Sequence, residues 1–226
     1  MEEIQVLDHG YVKYIEHWGS DERIIESARM STNKGFVNWD EDSRLLAYLW
    51  NNHHSTPFEM AGMVLEVKAP IMVFREWHRH RTMSYNEMSA RYIPLPDENY
   101  VPSVDRLMAG ANTATTNKQA QNSGIELSEQ NALAWLKMLE NVYEEAEYVY
   151  KYGLDIGIPK ELARLPVPVA RYSRMRVSCN LRNWLAFLTL RQDDKAQYEI
   201  RVYADEVCKL IAEYFPKTEE LFSKRV

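Results

Sequence analysis

The sequence predicts a mixed α/β fold of the α+β kind, with a central, largely antiparallel sheet, flanking helices and a mostly helical C-terminal half. Two patterns predict this class: strand-like segments near the N-terminus, and apolar residues at helical spacing through the second half. No internal repeat or convincing linker divides the 226 residues, and a chain of this length can bury a substantial core. We therefore expect a single domain over residues 1–226.

The segments with strand character lie mostly in the first third of the chain. Residues 2–16 predict a strand or hairpin, broken at residues 8–10, where the sequence reads Asp-His-Gly. Residues 62–69 alternate apolar and polar side chains, as in a half-buried strand. A further extended piece is expected over residues 89–93.

Helix starts in the first half are predicted from capping and charge. Ser20 is expected to cap a short helix, and the acidic residues 40–42 suit the beginning of a second helix, where the helix dipole favours negative charge. Pro70 suits the start of a third helix, on which Arg75 and Arg79 would share a face.

The second half is predicted to be helical. Apolar residues follow helical spacing over residues 133–150, 180–190 and about 196–214, and Pro216 is expected to stop the last helix. A further short helix is expected to start at Pro159.

A polar stretch separates the two halves. Residues 94–130 are rich in Pro, Asn, Thr, Ser, Gln and Gly, and their middle contains no large apolar residue. This composition predicts a long surface loop, mobile at about residues 108–128.

Composition limits the classes of protein. Apolar residues make up 46% and charged residues 27% of the chain, which is typical of globular proteins. No stretch approaches the roughly 18 apolar residues of a membrane span, and the acidic N-terminus does not suit a secretory signal, so we expect a cytoplasmic protein without membrane contact. Two cysteines cannot form a disulfide framework. The histidine pairs His53/His54 and His78/His80 lack the i, i+4 spacing of a helical zinc site. No metal site is therefore predicted.

The charge is unevenly distributed. The net charge is −6, from 27 Lys+Arg against 33 Asp+Glu, which argues against non-specific nucleic-acid binding. Arginines nevertheless cluster in residues 75–91 and 160–191. Guanidinium groups bind phosphate through paired hydrogen bonds, so these two clusters predict sites for phosphorylated small molecules.

One motif within the first cluster is far more specific. The sequence places Arg79, His80, Arg81, Ser84, Asn86, Glu87, Ser89 and Arg91 in the order RHRxxSxNExSxR. Eight specified positions at fixed spacing make a much stronger signal than composition does. This pattern resembles the signature of the flavin-dependent thymidylate synthases.

The resemblance extends beyond the motif, from about residue 31 to residue 200. Ser31 in SARMS, and His54 with the TPFE segment that begins at Thr56, are similar to upstream flavin-contacting segments of that family. The GIPKELAR segment over residues 157–164 and the later NLR, LR and AQYEI segments over residues 180–200 are similar to its C-terminal part.

The resemblance implies an enzyme that methylates dUMP to dTMP. Methylenetetrahydrofolate (the 5,10 form) would supply the carbon, and FAD reduced by NADPH would supply the hydride. The family forms homotetramers with active sites at subunit interfaces, so a homotetramer that binds neither nucleic acid nor membrane is expected. Arg191 would be the catalytic residue, favouring ionisation of the uracil at N3.

The resemblance also assigns residues to each ligand. The flavin set comprises Ser31, His54, Thr56, Arg79, His80, Arg81, Thr82, Glu87, Asn180 and Arg182. The dUMP set comprises Arg75, Glu76, Arg79, Glu87, Met88, Ser89, Ala90, Arg91, Arg164 and Arg191. No covalent enzyme nucleophile is expected, because Cys208 is expected to be a core residue of the last helix and Cys179 has no evident partner base.

The sequence departs from the family pattern at three places. Glu76 stands where glutamine is expected, and its carboxylate would repel a phosphate unless Arg75 or Arg79 neutralised it. Ala186 stands where a flavin-contacting asparagine is common, and residues 167–170 read VPVA in place of a more usual Leu-Pro-x-Asn.

Two alternatives to the enzyme remain open on the sequence. One is a non-catalytic regulatory protein that uses the arginine clusters to bind nucleotides or nucleic acid. The other is a family member that binds flavin but has lost methylation through the changes at Glu76 and Ala186.

Overall fold

The computed structural model describes residues 2–111 and 126–224, which fall into two compact units. The first unit combines residues 1–68, 75–87 and 174–226, and the second combines residues 69–74 and 88–173. The loop predicted at about 108–128 lies mainly in residues 112–125, outside the described residues. The prediction of one domain over the whole chain stays a prediction.

A five-stranded sheet is the framework of the first unit. Its strands are β1 (Ile4–Val6), β2 (Gly10–Trp18), β3 (Gly62–Pro70), β4 (Ser84–Glu87) and β5 (Tyr172–Asn180). Their order across the sheet is β1-β2-β3-β5-β4, and the pairs β1/β2, β2/β3 and β4/β5 are antiparallel. The mixed α+β class with an antiparallel sheet is therefore confirmed.

The helices complete both units. In chain order they are α1 (Asp21–Ala28), α2 (Trp39–Asn51), α3 (Ile71–Trp77), α4 (Val104–Ala111), α5 (Glu129–Asp155), α6 (Lys160–Ala163), α7 (Leu181–Arg191), α8 (Tyr198–Tyr214) and α9 (Pro216–Ser223). The predicted cap of α1 is confirmed, because the Ser20 hydroxyl accepts a hydrogen bond from the Arg23 amide at 3.3 Å. No helix among the described residues has the length and apolar character of a membrane span.

The core of the first unit lies between the sheet and helices α7 and α8. The Trp184 indole donates to the Met63 carbonyl at 3.2 Å, and the Tyr203 hydroxyl donates to the Lys68 carbonyl at 2.8 Å. The rings of Trp77 and Phe187 stack at 4.7 Å and are fully buried. These aromatic contacts attach the end of α3 to α7, which fixes the segment that follows α3.

The second unit is organised around the buried side chain of Arg171. This guanidinium donates to the Asn99 amide oxygen at 3.1 Å, to the Pro96 carbonyl at 2.9 Å and to the Glu147 carboxylate at 2.5 Å. Glu147 lies on α5, so one buried cation connects that helix to the chain around residues 96–99.

Two strand predictions differ from the structure. Strand β5 was not predicted, although its buried residues Met175 and Val177 alternate with exposed Arg174 and Arg176. The arginines make this segment look like a basic patch, while the period of two is that of a half-buried strand. The extended piece lies over residues 84–87 instead of 89–93, where the Ser89 carbonyl closes a turn by accepting from the amides of residues 92 and 93.

Three helix predictions also differ. Helix α3 ends at Trp77, so Arg79 lies beyond it and does not share its face with Arg75. Part of the predicted 94–130 loop is the helix α4, which begins where the Ser103 hydroxyl accepts from the Arg106 amide at 3.1 Å. Pro216 starts α9 as well as ending α8, because proline is well tolerated in the first turn of a helix.

Candidate active site

The motif begins in a tight turn between α3 and β4. The amides of residues 79, 80 and 83 donate to carbonyls three residues earlier in the chain. The Tyr85 hydroxyl lies 2.9 Å from the Trp77 carbonyl and 2.8 Å from the His80 carbonyl, and burial raises its pKa. A neutral phenol on the strand therefore holds both ends of the turn in place.

This turn and the last turn of α3 present cationic side chains to solvent. Arg75, Arg79 and Arg81 are exposed, and none makes a side-chain hydrogen bond or ion pair with a described residue. Thr82 and Glu87 are exposed beside them. Guanidinium groups without protein partners keep their hydrogen-bond donors available for an anionic ligand.

Arg191, at the end of α7, is held against the end of α3 and the turn that follows it by three hydrogen bonds. Its Nη1 donates to the Glu76 carboxylate at 2.9 Å, its Nη2 to the Glu76 carbonyl at 3.0 Å, and its Nε to His80 Nε2 at 3.0 Å. The Arg191 side chain is 17% exposed and that of Glu76 is 26% exposed. Glu76 is thus neutralised by Arg191, and not by Arg75 or Arg79 as the sequence suggested.

The protonation states in this cluster follow from burial and from the guanidinium. Burial and the neighbouring Arg191 cation lower the pKa of His80 to about 4, so its ring is neutral near pH 7. Since His80 Nε2 accepts the hydrogen bond from Arg191, the ring proton lies on Nδ1. Burial raises the pKa of Glu76, as does the Glu199 carboxylate, while Arg191 lowers it.

A second feature of the first unit is a cavity of about 360 Å³ between α2 and α7. Its walls are mostly apolar, and it brings together His54 and Arg182 from the predicted flavin set. Ala186 also lines it, at the position where the family pattern has asparagine. The apolar lining residues, such as Trp50 and Leu185, were missed by motif comparison because they fit ordinary helix-core spacing.

The remaining flavin-set residues occupy defined local structures. Thr56 begins a 3₁₀ turn (Thr56–Met60) in which Glu59 forms an ion pair with Arg182. The Asn180 side-chain oxygen caps α7 by accepting from the Asn183 amide at 3.0 Å. Ser31 lies exposed in the 3₁₀ turn Met30–Thr32 and does not line the cavity.

The segment that carries Ser31 is held by a buried ion pair. Arg29 pairs with the fully buried carboxylate of Asp42, which also accepts a hydrogen bond from the Val37 amide at 2.8 Å. Arg29 also donates to the Gly35 carbonyl at 2.8 Å. This pair fixes residues 29–37 against α2.

Half of the dUMP set lies in the second unit, on a turn and a short helix. Met88 and Ser89 are partly buried and Ala90 is buried, while Arg91 is exposed and lies 3.5 Å from the Glu161 carboxylate. Lys160 donates to the carbonyl of residue 92 at 2.8 Å, which attaches α6 to this turn. Arg164 follows as the C-terminal cap of α6 and is exposed.

Comparison with known proteins identifies the family. A family model described as thymidylate synthase complementing protein matches residues 13–217. A flavin-dependent thymidylate synthase from Rickettsia bellii is 38% identical over 238 aligned residues, which cover 99% of this chain and 79% of that protein. One from Ruegeria pomeroyi is 38% identical over 221 residues, which cover 96% and 72%.

A solved structure supports the same assignment at the level of the fold. The UMP/dUMP methylase PolB from Streptomyces cacaoi, bound with 5-Br dUMP, superposes with a TM-score of 0.85 at 31% identity, covering 98% of this chain and 97% of that one. The match thus extends along nearly the whole chain in sequence and in structure. This chain belongs to the thymidylate synthase complementing protein family, the flavin-dependent thymidylate synthases.

Proposed function

We propose that this chain converts dUMP to dTMP in the cytoplasm, with 5,10-methylenetetrahydrofolate as the carbon donor and FAD reduced by NADPH as the hydride source. The observation that carries the proposal is the half-buried Arg191 cluster behind a turn of unpaired arginines. The turn offers cations for phosphates, and the cluster offers one oriented cation for a ring that acquires negative charge.

Arg191 is the catalytic residue in this proposal. Methylation at C5 requires electron density on the uracil ring, and ionisation at N3 provides it. A guanidinium remains protonated at every working pH, and here Glu76 and His80 fix its orientation before the substrate binds. Such preorganised charge is often the largest single contribution to catalysis.

The residues present fit FAD. The exposed, unpaired side chains of Arg79 and Arg81 suit a diphosphate, and the apolar cavity with His54 and Arg182 suits a flat heteroaromatic ring. When bound, the flavin supplies hydride transfer, and the protein binds and orients it. Ala186 leaves that cavity wall apolar where an asparagine would offer hydrogen bonds.

No cysteine is needed as a nucleophile. Burial raises the pKa of the Cys179 thiol to about 12, so it remains protonated at neutral pH. Burial also raises the pKa of Cys208. A buried neutral thiol is a poor nucleophile, which supports a reaction without a covalent bond between enzyme and uracil.

A homotetramer with active sites at subunit interfaces is part of the proposal. Helix α5 exposes large apolar side chains at steps of three, four and seven residues, namely Trp135, Met138, Val142, Val149 and Tyr152. Steps that add up to a seven-residue repeat place these side chains in one stripe, as in helices that pack against another helix. Mass measurement by light scattering tests this part, and a monomeric mass would contradict it.

The direct test of the activity is dTMP formation by the purified protein. The complete mixture of dUMP, methylenetetrahydrofolate, NADPH and FAD is expected to give dTMP, and omission of dUMP, methylenetetrahydrofolate or NADPH is expected to stop it. Omission of FAD is expected to stop it only after bound flavin has been removed from the protein. UMP should be tested in parallel, because the solved relative is described as a UMP/dUMP methylase. Growth of cells without their own thymidylate synthase, on medium without thymidine, gives an independent readout.

Two outcomes would contradict the proposal. A protein that binds FAD and dUMP but forms no dTMP would be a family member that has lost methylation. A protein that takes up no FAD and binds DNA with a steep salt dependence would be a regulatory protein of the kind the arginine clusters allow.

A further inference from the structure

Glu76 has an unused hydrogen-bond acceptor beside the catalytic arginine. Its Oε2 accepts from Arg191 Nη1 at 2.9 Å, whereas its Oε1 accepts no hydrogen bond from any described residue. The side chain is 26% exposed, so a ligand can reach this oxygen. Arg191 and Glu76 together therefore present a donor and an acceptor side by side.

This pair complements the imide edge of uracil. That edge carries an N–H donor at N3 between two carbonyl acceptors. A guanidinium can donate to a carbonyl, and the free carboxylate oxygen can accept from N3–H. Glutamine at this position could also accept a hydrogen bond, but an amide oxygen cannot hold a proton at neutral pH. The carboxylate therefore adds a chemical capacity that the usual residue lacks.

The other titratable groups around Glu76 are poorly suited to take the N3 proton. His80, in the turn, directs its Nε2 lone pair to Arg191 and carries a proton on Nδ1. Glu199, on α8, is buried and only 4% exposed. Arg75, on the same helix as Glu76, and Arg191, on α7, are cations and cannot accept a proton. Glu76 is the best-placed base in this cluster.

We propose that Glu76 is the base that removes the N3 proton of dUMP in this enzyme, so that Arg191 exchanges a carboxylate partner for a uracil anion. The inference rests on the proposed function for the identity of the ligand. The N3–H bond breaks, its electron pair stays on N3, and the proton forms an O–H bond on the Glu76 carboxyl group. After methylation the same proton returns to N3.

The charge of the cluster stays balanced throughout this exchange. Before the transfer, the Arg191 cation is paired with the Glu76 anion; afterwards it is paired with the ionised uracil, and Glu76 is neutral. A half-buried cation therefore never lacks a counterion, which avoids the cost of an unpaired charge. Burial and the Glu199 carboxylate raise the pKa of Glu76, which makes it a stronger base than an ordinary glutamate.

The test is the ¹⁵N chemical shift of N3 in labelled dUMP bound to the FAD-loaded enzyme, followed as a function of pH. In the wild type at pH 7 we expect the shift of ionised N3. In Glu76→Gln we also expect ionised N3 at pH 7, because Arg191 still stabilises the anion beside a neutral side chain. The proton then has no acceptor in the cluster, so binding of dUMP should release about one proton to a weakly buffered solution in this variant and none in the wild type.

The matched control is Glu66→Gln, which removes the charge of another arginine-paired glutamate in the first unit. Glu66 lies on β3, 3.4 Å from Arg176, and has no assigned role. This variant is expected to show the wild-type N3 shift and rate.

Three results would overturn the inference. They are protonated N3 in the wild type, release of a proton when dUMP binds to the wild type, or protonated N3 in Glu76→Gln at pH 7, which would mean that Glu76 only positions Arg191. Failure of the proposed function looks different, because ionised N3 without dTMP formation contradicts the proposed activity and leaves the inference standing. Formation of dTMP with protonated N3 would support the proposed activity and contradict the inference.

Discussion

Arg171 and Arg191 come from the same basic stretch of sequence but differ in burial and in hydrogen bonding. Arg171 lies in the second unit and Arg191 in the first. Arg171 is fully buried, and its three donor nitrogens contact Asn99, Pro96 and Glu147. Arg191 is 17% exposed, and its carboxylate partner Glu76 retains an oxygen that accepts no hydrogen bond from a described residue. A saturated buried arginine holds a fold together, whereas a fixed arginine with an accessible partner can exchange that partner for a ligand.

The exposed arginines at the end of α3 and in the turn that follows it form a third class. Arg75, Arg79 and Arg81 have no side-chain partner among the described residues. Sequence composition places all three classes together as anion-binding arginines. The degree to which each guanidinium is already satisfied separates the structural arginine from those with proposed catalytic and binding roles, and each class makes a different experimental prediction.

The largest effect is expected from Arg191→Ala. We expect the rate of dTMP formation to fall about 10³-fold, equivalent to about 4 kcal/mol of transition-state stabilisation, because the charge that supports N3 ionisation is gone. Binding of FAD and dUMP should remain largely intact by spectroscopic titration. Turnover near the wild-type rate would remove Arg191 from the mechanism.

The next largest effect is expected from Arg171→Met, and it is on stability. Removing one partner of a buried ion pair leaves Glu147 without its main counterion, so the free energy of unfolding should fall by about 3 kcal/mol in denaturant titrations. The double variant Arg171→Met/Glu147→Leu should recover most of this loss. The rate per folded molecule should stay within about twofold, and a stable but inactive Arg171→Met protein would contradict the contrast with Arg191.

A smaller effect, on binding alone, is expected from Arg79→Ala. Loss of charge-assisted hydrogen bonds should raise the dissociation constant for dUMP about 30-fold, or about 2 kcal/mol. The free energy of unfolding should change by less than about 0.5 kcal/mol, because the Arg79 side chain has no hydrogen-bond or ion-pair partner among the described residues. Arg44→Ala, which removes an exposed arginine of α2, is the control and should leave both quantities unchanged.

The smallest effect concerns His80 and the pH dependence of stability. Its pKa is about 4 in the folded protein and 6.5 in an ordinary imidazole, so the unfolded chain binds the proton more tightly. Stability contributed by neutral His80 is therefore present above about pH 6.5 and lost as the pH falls towards 4. Denaturant titrations should show a larger loss over this range in the wild type than in His80→Gln. Equal losses would mean that the His80 pKa is not lowered.

The sequence predicts the helices and the motif well because their signals are local. Ser20 and Asn180 cap helices with their own side chains, and the motif is a contiguous run that can be compared position by position. Strand β5 was missed because the arginines at 174 and 176 dominate its composition. The period of two between buried and exposed residues, which predicts a strand, was overlooked because the segment was interpreted by its charge.

The pairing of Glu76 with Arg191 could not be predicted from the sequence. The two residues are 115 positions apart and meet only because Trp77 stacks on Phe187 and so attaches the end of α3 to α7. The sequence predicts that the Glu76 carboxylate lies near the expected phosphate and needs a neighbouring cation, but it does not identify that cation. Its identity depends on long-range packing, which no local pattern encodes.

The most direct measurement is the visible absorption spectrum of the purified protein during titration with dUMP. The account predicts a flavin band that shifts saturably as dUMP binds, because the two ligands must lie together for a hydride to pass between them. A colourless protein that takes up no added FAD, or a flavin band that dUMP leaves unchanged at every concentration, would contradict it.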